Sequence, residues 1–172
     1  MIHPLQIRPE RPGDADAIRH VNEVAFGRPA EALLVQALRA AGALTLSLVA
    51  EVEGVIVGHL AFSPVQIVGA GGVRSAEGLA PLSVHPEHQQ RRIGARLVVA
   101  GLELLREAGH GAVVVLGEPS YYSRFGFQPA RRWGLRWELD APEEAFMALE
   151  LRTGALAGTG GVVRYRPEFA AV

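Results

Sequence analysis

Apolar positions repeat with two different periods along the chain, and each change of period marks a change of element. Leu5 to Arg8 alternates as a short strand, and the turn Pro12-Gly13-Asp14 places Asp14 as the N-cap of a helix reaching about Phe26. Ala17, Ile18, Val21, Val24 and Ala25 form its apolar stripe. Gly27-Arg28-Pro29 interrupts the pattern. A second helix is predicted over Ala30 to Ala41, with Leu33, Leu34, Ala37 and Leu38 inward and Gly42 closing it. Leu46 to Val52 and Val55 to Phe62 read as strands joined at Glu53-Gly54. Val65 to Val68 is a further short strand, and the reversal Gly69-Ala70-Gly71-Gly72 separates it from a strand over Gly78 to Val84.

The period then becomes helical. From Gln90 to Ala108, Ile93, Leu97, Val98, Gly101, Leu102 and Leu105 share one face, while Arg92, Arg96, Glu103, Arg106 and Glu107 lie mostly on the other. Gly109 ends this helix. Ala112 to Leu116 is a continuous apolar run, as in a strand covered on both faces. A short helix fits Ser120 to Phe125, and strands are predicted at Trp137 to Leu139, Phe146 to Leu151 and Gly161 to Tyr165. The pattern predicts one α/β domain over residues 1–172, mostly antiparallel in its first half, with a strand–helix–strand unit at its centre.

Composition narrows the chemistry. The 172 residues carry 17 basic and 18 acidic side chains, a net charge of −1, which argues against broad binding to nucleic acid or an anionic membrane. There is no cysteine, so disulfides, thiolate metal sites and a cysteine acyl-enzyme are excluded. All 17 basic residues are arginine, which excludes a Schiff-base lysine and a P-loop lysine. The first residues, MIHPLQIRPERPGD, lack the apolar centre of a signal peptide, and the longest apolar runs are of strand length. A cytoplasmic protein is expected, monomer or homodimer, with no bound metal.

Three features in the block from Leu79 to Ala130 carry candidate chemistry. Strand, Pro turn and helix start bring Gln89, Gln90, Arg91, Arg92, Ile93, Gly94, Ala95 and Arg96 together. Unpaired N–H groups, the helix dipole and three Arg suit a diphosphate there, and a solvated basic helix start is the competing reading. Pro81 cannot donate to a ladder, so its strand is either splayed from the next one, leaving backbone free for an extended ligand, or a plain edge strand. Tyr121 and Tyr122 follow the buried strand through Gly117-Glu118-Pro119, either as cleft residues whose hydroxyl protonates a leaving thiolate or as core rings.

In order and spacing this block resembles the GNAT superfamily of N-acetyltransferases. It resembles most the bacterial predicted N-acetyltransferase subgroup, with its L-x-P-L-x-V-x-P strand and its G-x-P-x-Y-Y-x-R-F-G-F segment, matched here from Gly117 to Phe127. Of the superfamily's Gln/Arg-x-x-Gly-x-Gly/Ala signature, Gln89 matches the first position and Gly94 the last. Arg92 replaces the inner Gly, so that position is expected to keep out of glycine's backbone conformations, with its side chain toward solvent or phosphate.

The resemblance implies a mixed, mostly antiparallel sheet flanked by helices, splayed between its fourth and fifth strands. The cofactor-binding core would span about 78–130 and the C-terminal strands about 131–172. It implies acetyl-CoA as acyl donor, its pantetheine along Leu82, Ser83 and Val84 and its pyrophosphate on the N–H groups from Gln89 to Ala95, beside Arg91 or Arg96. A backbone N–H near Leu82 would polarise the acetyl carbonyl. An amine of a small molecule or peptide would attack directly in a ternary complex, with Tyr122 as general acid and Tyr121 as its alternative. The general base is Glu77, Glu118, His59 or an ordered water, and His59 also reads as a hydrogen-bonded core histidine. Trp133, Trp137 and Phe146 would either wall the acceptor pocket or sit in the core. The other functional class is an acyl-CoA-binding regulatory domain without turnover.

Overall fold

A computed structural model describes residues 3–172. In chain order the strands are β1 (Gln6–Pro9), β2 (Leu46–Val52), β3 (Val55–Gly69), β4 (Gly72–Val84), β5 (Ala112–Leu116), β6 (Gln128–Pro129), β7 (Leu135–Trp137), β8 (Phe146–Glu150) and β9 (Gly161–Arg164). The α-helices are α1 (Ala15–Phe26), α2 (Ala30–Ala40), α3 (Ile93–Glu107) and the single turn α4 (Pro119–Tyr122). Hydrogen-bonded neighbours run β1-β2-β3-β4-β5-β8-β6, with β9 pairing both β3 and β7. The β4–β5 and β7–β9 pairs are parallel. The sheet is otherwise antiparallel wherever the ladder direction is resolved. The β4–β5 register covers two pairs, Glu77 with Val113 and Gly78 with Val114, although β4 continues to Val84. The ladder stops before Pro81, as in the splayed alternative, and β4 lies between β3 and β5, which removes the edge-strand alternative.

The described chain forms two compact units: 3–62 with Ala80–Glu103 and Pro167–Val172, and Ser63–Leu79 with Leu104–Arg166. In the first, Ile18 of α1, Val35 of α2 and Val49 of β2 pack together. The face of α3 fits closely there. A Cβ on Gly58 would lie 3.1 Å from Leu97, and one on Gly101 would lie 2.6 Å from the ring of Phe62. The predicted α3 stripe is buried at every position. In the second unit, Val65, Ile67, Val114, Phe146, Ala148 and Val163 form the core, with Trp133 and Trp137 packed against it. Phe146 is therefore core, whereas the rings of Trp133 and Trp137 are half-buried against that cluster.

Several expectations need correction. The strand over Val55 to Phe62 and the piece Val65 to Val68 are one continuous β3, and β4 starts at Gly72 instead of Gly78. The reversal is confined to Ala70 and Gly71. The α3 helix opens at Ile93, later than Gln90, because the preceding residues form the loop described below. The strand placed at Trp137 to Leu139 is Leu135–Trp137. Ser120 to Phe125 divides into α4 and a 3-10 turn, ended by left-handed Gly126. Within α1, Ala17 is exposed. In α2 the inward side is Glu31, Ala32, Leu34, Val35 and Leu38, whereas Leu33 is 57% exposed and Ala37 is also outside. Arg28 pairs with the Glu31 carboxylate, which lets a charged residue take an interior position.

Asp14 occupies the N-cap position of α1, but its side chain makes no cap bond. Its carboxylate accepts instead from Arg8 at 2.7 Å and from the Arg11 N–H at 2.7 Å. Arg8 also donates to Glu51 on β2 at 2.7 Å. The bond from Arg8 is the main reason the Asp14 carboxyl is held below the usual carboxylate range. Other guanidinium groups lie over rings: Arg124 is 4.4 Å from the Tyr121 centroid and Arg132 is 5.4 Å from that of Trp133.

Candidate active site

The predicted site residues divide between the units. Leu82 to Arg96 belong to the first. At the end of β4, Leu82 and Val84 are half-buried, and Ser83 is buried with no hydrogen-bond partner for its Oγ among the described residues. The chain then turns: the His85 N–H donates to the Val57 carbonyl at 2.8 Å, and Pro86–His88 form a 3-10 turn. The Glu87 N–H donates to His85 Nδ1 at 3.2 Å, and the Gln89 side-chain amide donates to the Val84 carbonyl at 3.1 Å.

Past this brace, Gln90 has φ 62° and Arg92 has φ 61°. Arg92 therefore does adopt the left-handed backbone that glycine favours, against the expectation from its side chain. Left-handed residues separated by ordinary ones turn successive N–H groups toward one concave side, a backbone shape that suits anions. The free N–H groups of the first turn of α3 follow directly. Arg91, Arg92 and Arg96 are exposed, and no ion pair among the described residues occupies any of them. Backbone dipoles and unpaired cations thus coincide on one short stretch.

His59 lies in the same unit on β3 and is fully buried. Asn22 Nδ2 is 2.9 Å from the Ile18 carbonyl and 3.1 Å from His59 Nδ1. A carbonyl only accepts, so the amide NH2 faces both groups and His59 Nδ1 is the acceptor. The ring proton is then on Nε2, which donates to Ser47 Oγ at 2.9 Å. Burial, with Arg39 nearby, pushes the imidazole down to about 3, so it stays neutral. With both nitrogens engaged, His59 is a core histidine and is removed from the candidate bases.

Glu77, Glu118 and the two tyrosines belong to the second unit. Glu77 on β4 is buried, and His110 Nδ1 approaches its carboxylate at 3.3 Å. Glu118 is exposed; its carbonyl accepts from the N–H groups of Tyr121 and Tyr122 at 3.1 Å each. Tyr122 is 9% exposed, edge-on to Tyr121 at 5.0 Å and to Phe127 at 5.7 Å. Burial, then the neighbouring Tyr121, pushes its phenol well above the ordinary value, so it keeps its proton at neutral pH. Burial also raises the Tyr121 phenol, against an opposing effect of the neighbouring Arg124 guanidinium. The positive φ of Gln90 and the brace from Gln89 to Val84 carried no signal in the sequence.

Residues 6–130 match the acetyltransferase (GNAT) domain family. This chain is a GNAT acetyltransferase. It is 42% identical over 166 residues to the uncharacterized N-acetyltransferase YhbS of Escherichia coli K12, covering 96% of this chain and 98% of that one. The crystal structure of E. coli YhbS in complex with CoA superposes with a TM-score of 0.92, covering 98% of this chain and 93% of that one at 40% identity. A GNAT family acetyltransferase from Brucella melitensis in complex with acetyl-CoA has a TM-score of 0.80 at 42% identity, covering 97% and 99%. The GNAT fold and acyl-transfer activity follow from these likenesses, and they favour an enzyme over a binding module without turnover. Among the described residues of this acetyltransferase, no cluster of His, Cys, Asp and Glu could hold a metal ion, and no helix is long and apolar enough to cross a membrane.

Proposed function

We propose that this acetyltransferase moves the acetyl group of acetyl-CoA to a primary amine of a small molecule or peptide, by direct attack in a ternary complex. The observation that carries the reading is the left-handed pair Gln90 and Arg92 leading into α3 beside three unpaired arginines. The CoA and acetyl-CoA complexes of two relatives about 40% identical support the same donor. The pyrophosphate rests on N–H groups from Gln89 through Gln90, Arg91, Arg92, Ile93 and Gly94 to Ala95, with Arg91 or Arg96 countering its charge. The pantetheine follows the backbone of Leu82, Ser83 and Val84 where the β4–β5 ladder is interrupted. The partnerless Ser83 Oγ supplies a polar group on that path.

The amine nitrogen forms a bond to the acetyl carbon, the carbonyl oxygen gains charge that the Leu82 N–H stabilises, and the C–S bond then breaks. Tyr122 stands at the leaving sulfur. Its raised phenol is a weaker acid than a thiol, whose ordinary value is near 8.5, so full proton transfer runs uphill. Tyr122 therefore acts chiefly by donating a hydrogen bond that strengthens as the thiolate forms. We assign the proton of the attacking ammonium to Glu77, whose buried carboxylate is reached by the part-exposed His110; an ordered water is the remaining alternative beside Glu118.

The test is twofold. Calorimetry should detect acetyl-CoA binding, and a panel of primary amines should give steady release of CoA thiol with at least one acceptor. Binding without release across the panel would leave a ligand-holding domain, and absence of binding would overturn the reading.

A further inference from the structure

The reading of Tyr122 as the group at the leaving sulfur raises the question of what aims its ring, and we infer that Gly117 is its positioning residue, the seat against which the phenol ring is set. A Cβ built on Gly117 would lie 2.4 Å from Tyr122 Cε2 and 2.9 Å from Cδ2, inside any tolerable contact. Gly117 has none of the positive φ values that bar an L side chain, so the position is short of room and not conformationally special. It also cannot retreat cheaply, because its N–H donates to the Ala145 carbonyl at 2.9 Å.

The ring is confined on its other sides. Tyr121 and Phe127 meet it edge-on, and Phe125 is tilted against it at 6.4 Å. Its backbone is pinned as well, by the Tyr122 N–H to the Glu118 carbonyl. An added methyl at 117 must therefore swing the ring, and the hydroxyl at its far end moves further than the ring atoms that are struck. A hydrogen-bond donor displaced on this scale loses transition-state stabilisation while the cosubstrate loop, on other residues, keeps its grip. Glycine at 117 thus converts a crowded aromatic cluster into a fixed direction for one hydroxyl.

The experiment is a double-variant cycle with an acceptor amine found in the thiol-release screen. Gly117→Ala should lower kcat by about 10- to 100-fold with KM for acetyl-CoA within about twofold. In the Tyr122→Phe background, which already lacks the hydroxyl, Gly117→Ala should cause little further loss. Equal losses in both backgrounds, or full kcat in Gly117→Ala, would overturn the inference. If Tyr122→Phe itself keeps full kcat, the role of the Tyr122 hydroxyl at the leaving sulfur falls first, and the positioning role falls with it. If Tyr122→Phe is slow but Gly117→Ala is fast, only the role of Gly117 falls. Should Gly117→Ala fail to fold, the double variant Gly117→Ala/Tyr122→Ala should recover a cooperative melt, since the struck ring is gone; no recovery would count against the seat.

Discussion

The loop from Gln89 to Arg96 and the segment from Gly117 to Phe127 stand at opposite ends of how a protein can build a site. The loop is made of backbone: two left-handed residues, a brace from Gln89 to Val84 and a helix start, with its glutamine and arginine side chains exposed and Ile93 turned into the core. The segment is made of side chains: four aromatic rings within 6.4 Å of a neighbour, and one of them against a glycine. A backbone site tolerates exchange of its side chains as long as charge and path survive. A packed site tolerates almost none, because each atom is placed by its neighbours. In the proposed reaction the first holds a cosubstrate and the second handles a leaving group, so the two should fail in different ways.

The largest effect is expected in the packed segment. Tyr122→Phe removes one hydroxyl, and turnover should fall toward the low end of roughly 10²–10⁴-fold, in kcat more than in KM for acetyl-CoA. Steady-state kinetics check it, and a near-normal kcat would erase the contrast between the regions. Next comes Gly94→Asp, which sets a carboxylate at the start of α3 where an anion is to bind. CoA affinity by calorimetry should weaken by at least about tenfold, with the fold retained.

A buried polar residue outside both regions sharpens the contrast. The folded-state value of His59, about 3, is below its ordinary 6.5. Between those values the unfolded chain binds a proton that the folded chain refuses, so the stability held above about pH 6.5 is lost as pH falls. The slope approaches about 1.4 kcal/mol per pH unit. Urea unfolding at pH 7, 6 and 5 should show this decline, and His59→Gln should flatten it while leaving CoA affinity unchanged. The smallest effect is Arg92→Gly. Relief of the left-handed strain and added chain entropy oppose each other, so stability should shift by less than about 1 kcal/mol. CoA affinity should stay within a fewfold if backbone does the holding; a collapse of affinity would transfer the role to the guanidinium.

What was legible in the sequence follows the same division. The α3 stripe was readable because six apolar residues at helical spacing leave one choice of face, and all six are buried. The phase of α2 is ambiguous in the sequence because Leu33 and Ala37 are also apolar and also one turn apart. The true inner face includes Glu31, which only the ion pair with Arg28 makes acceptable. The β3–β4 hairpin was cut short because its far end is exposed and Gly-rich, without the alternation that marks a strand with one buried face. The loop before α3 is visible as a helix start with arginines, but its left-handed residues are not, since Gln and Arg give no sign of a conformation that glycine usually takes. The hydrogen bonds that engage both ring nitrogens of His59 come from Asn22 and Ser47, 37 and 12 residues away in the chain, and its neutral state comes from burial, which one sequence position does not reveal.

The guanidinium groups over Tyr121 and Trp133 belong to a chain whose 17 basic side chains are all arginine. Such a group stays protonated and presents donors only, with no lone pair to attack a thioester. An acetyltransferase spends its life beside a reactive acyl donor, and a surface of lysines would be a slow competing substrate for it. Within these 172 residues no ε-amine exists to be acylated. The surface keeps its positive charge whatever the state of the donor pool, and no lysine acylation can remove a cation from its ring contacts.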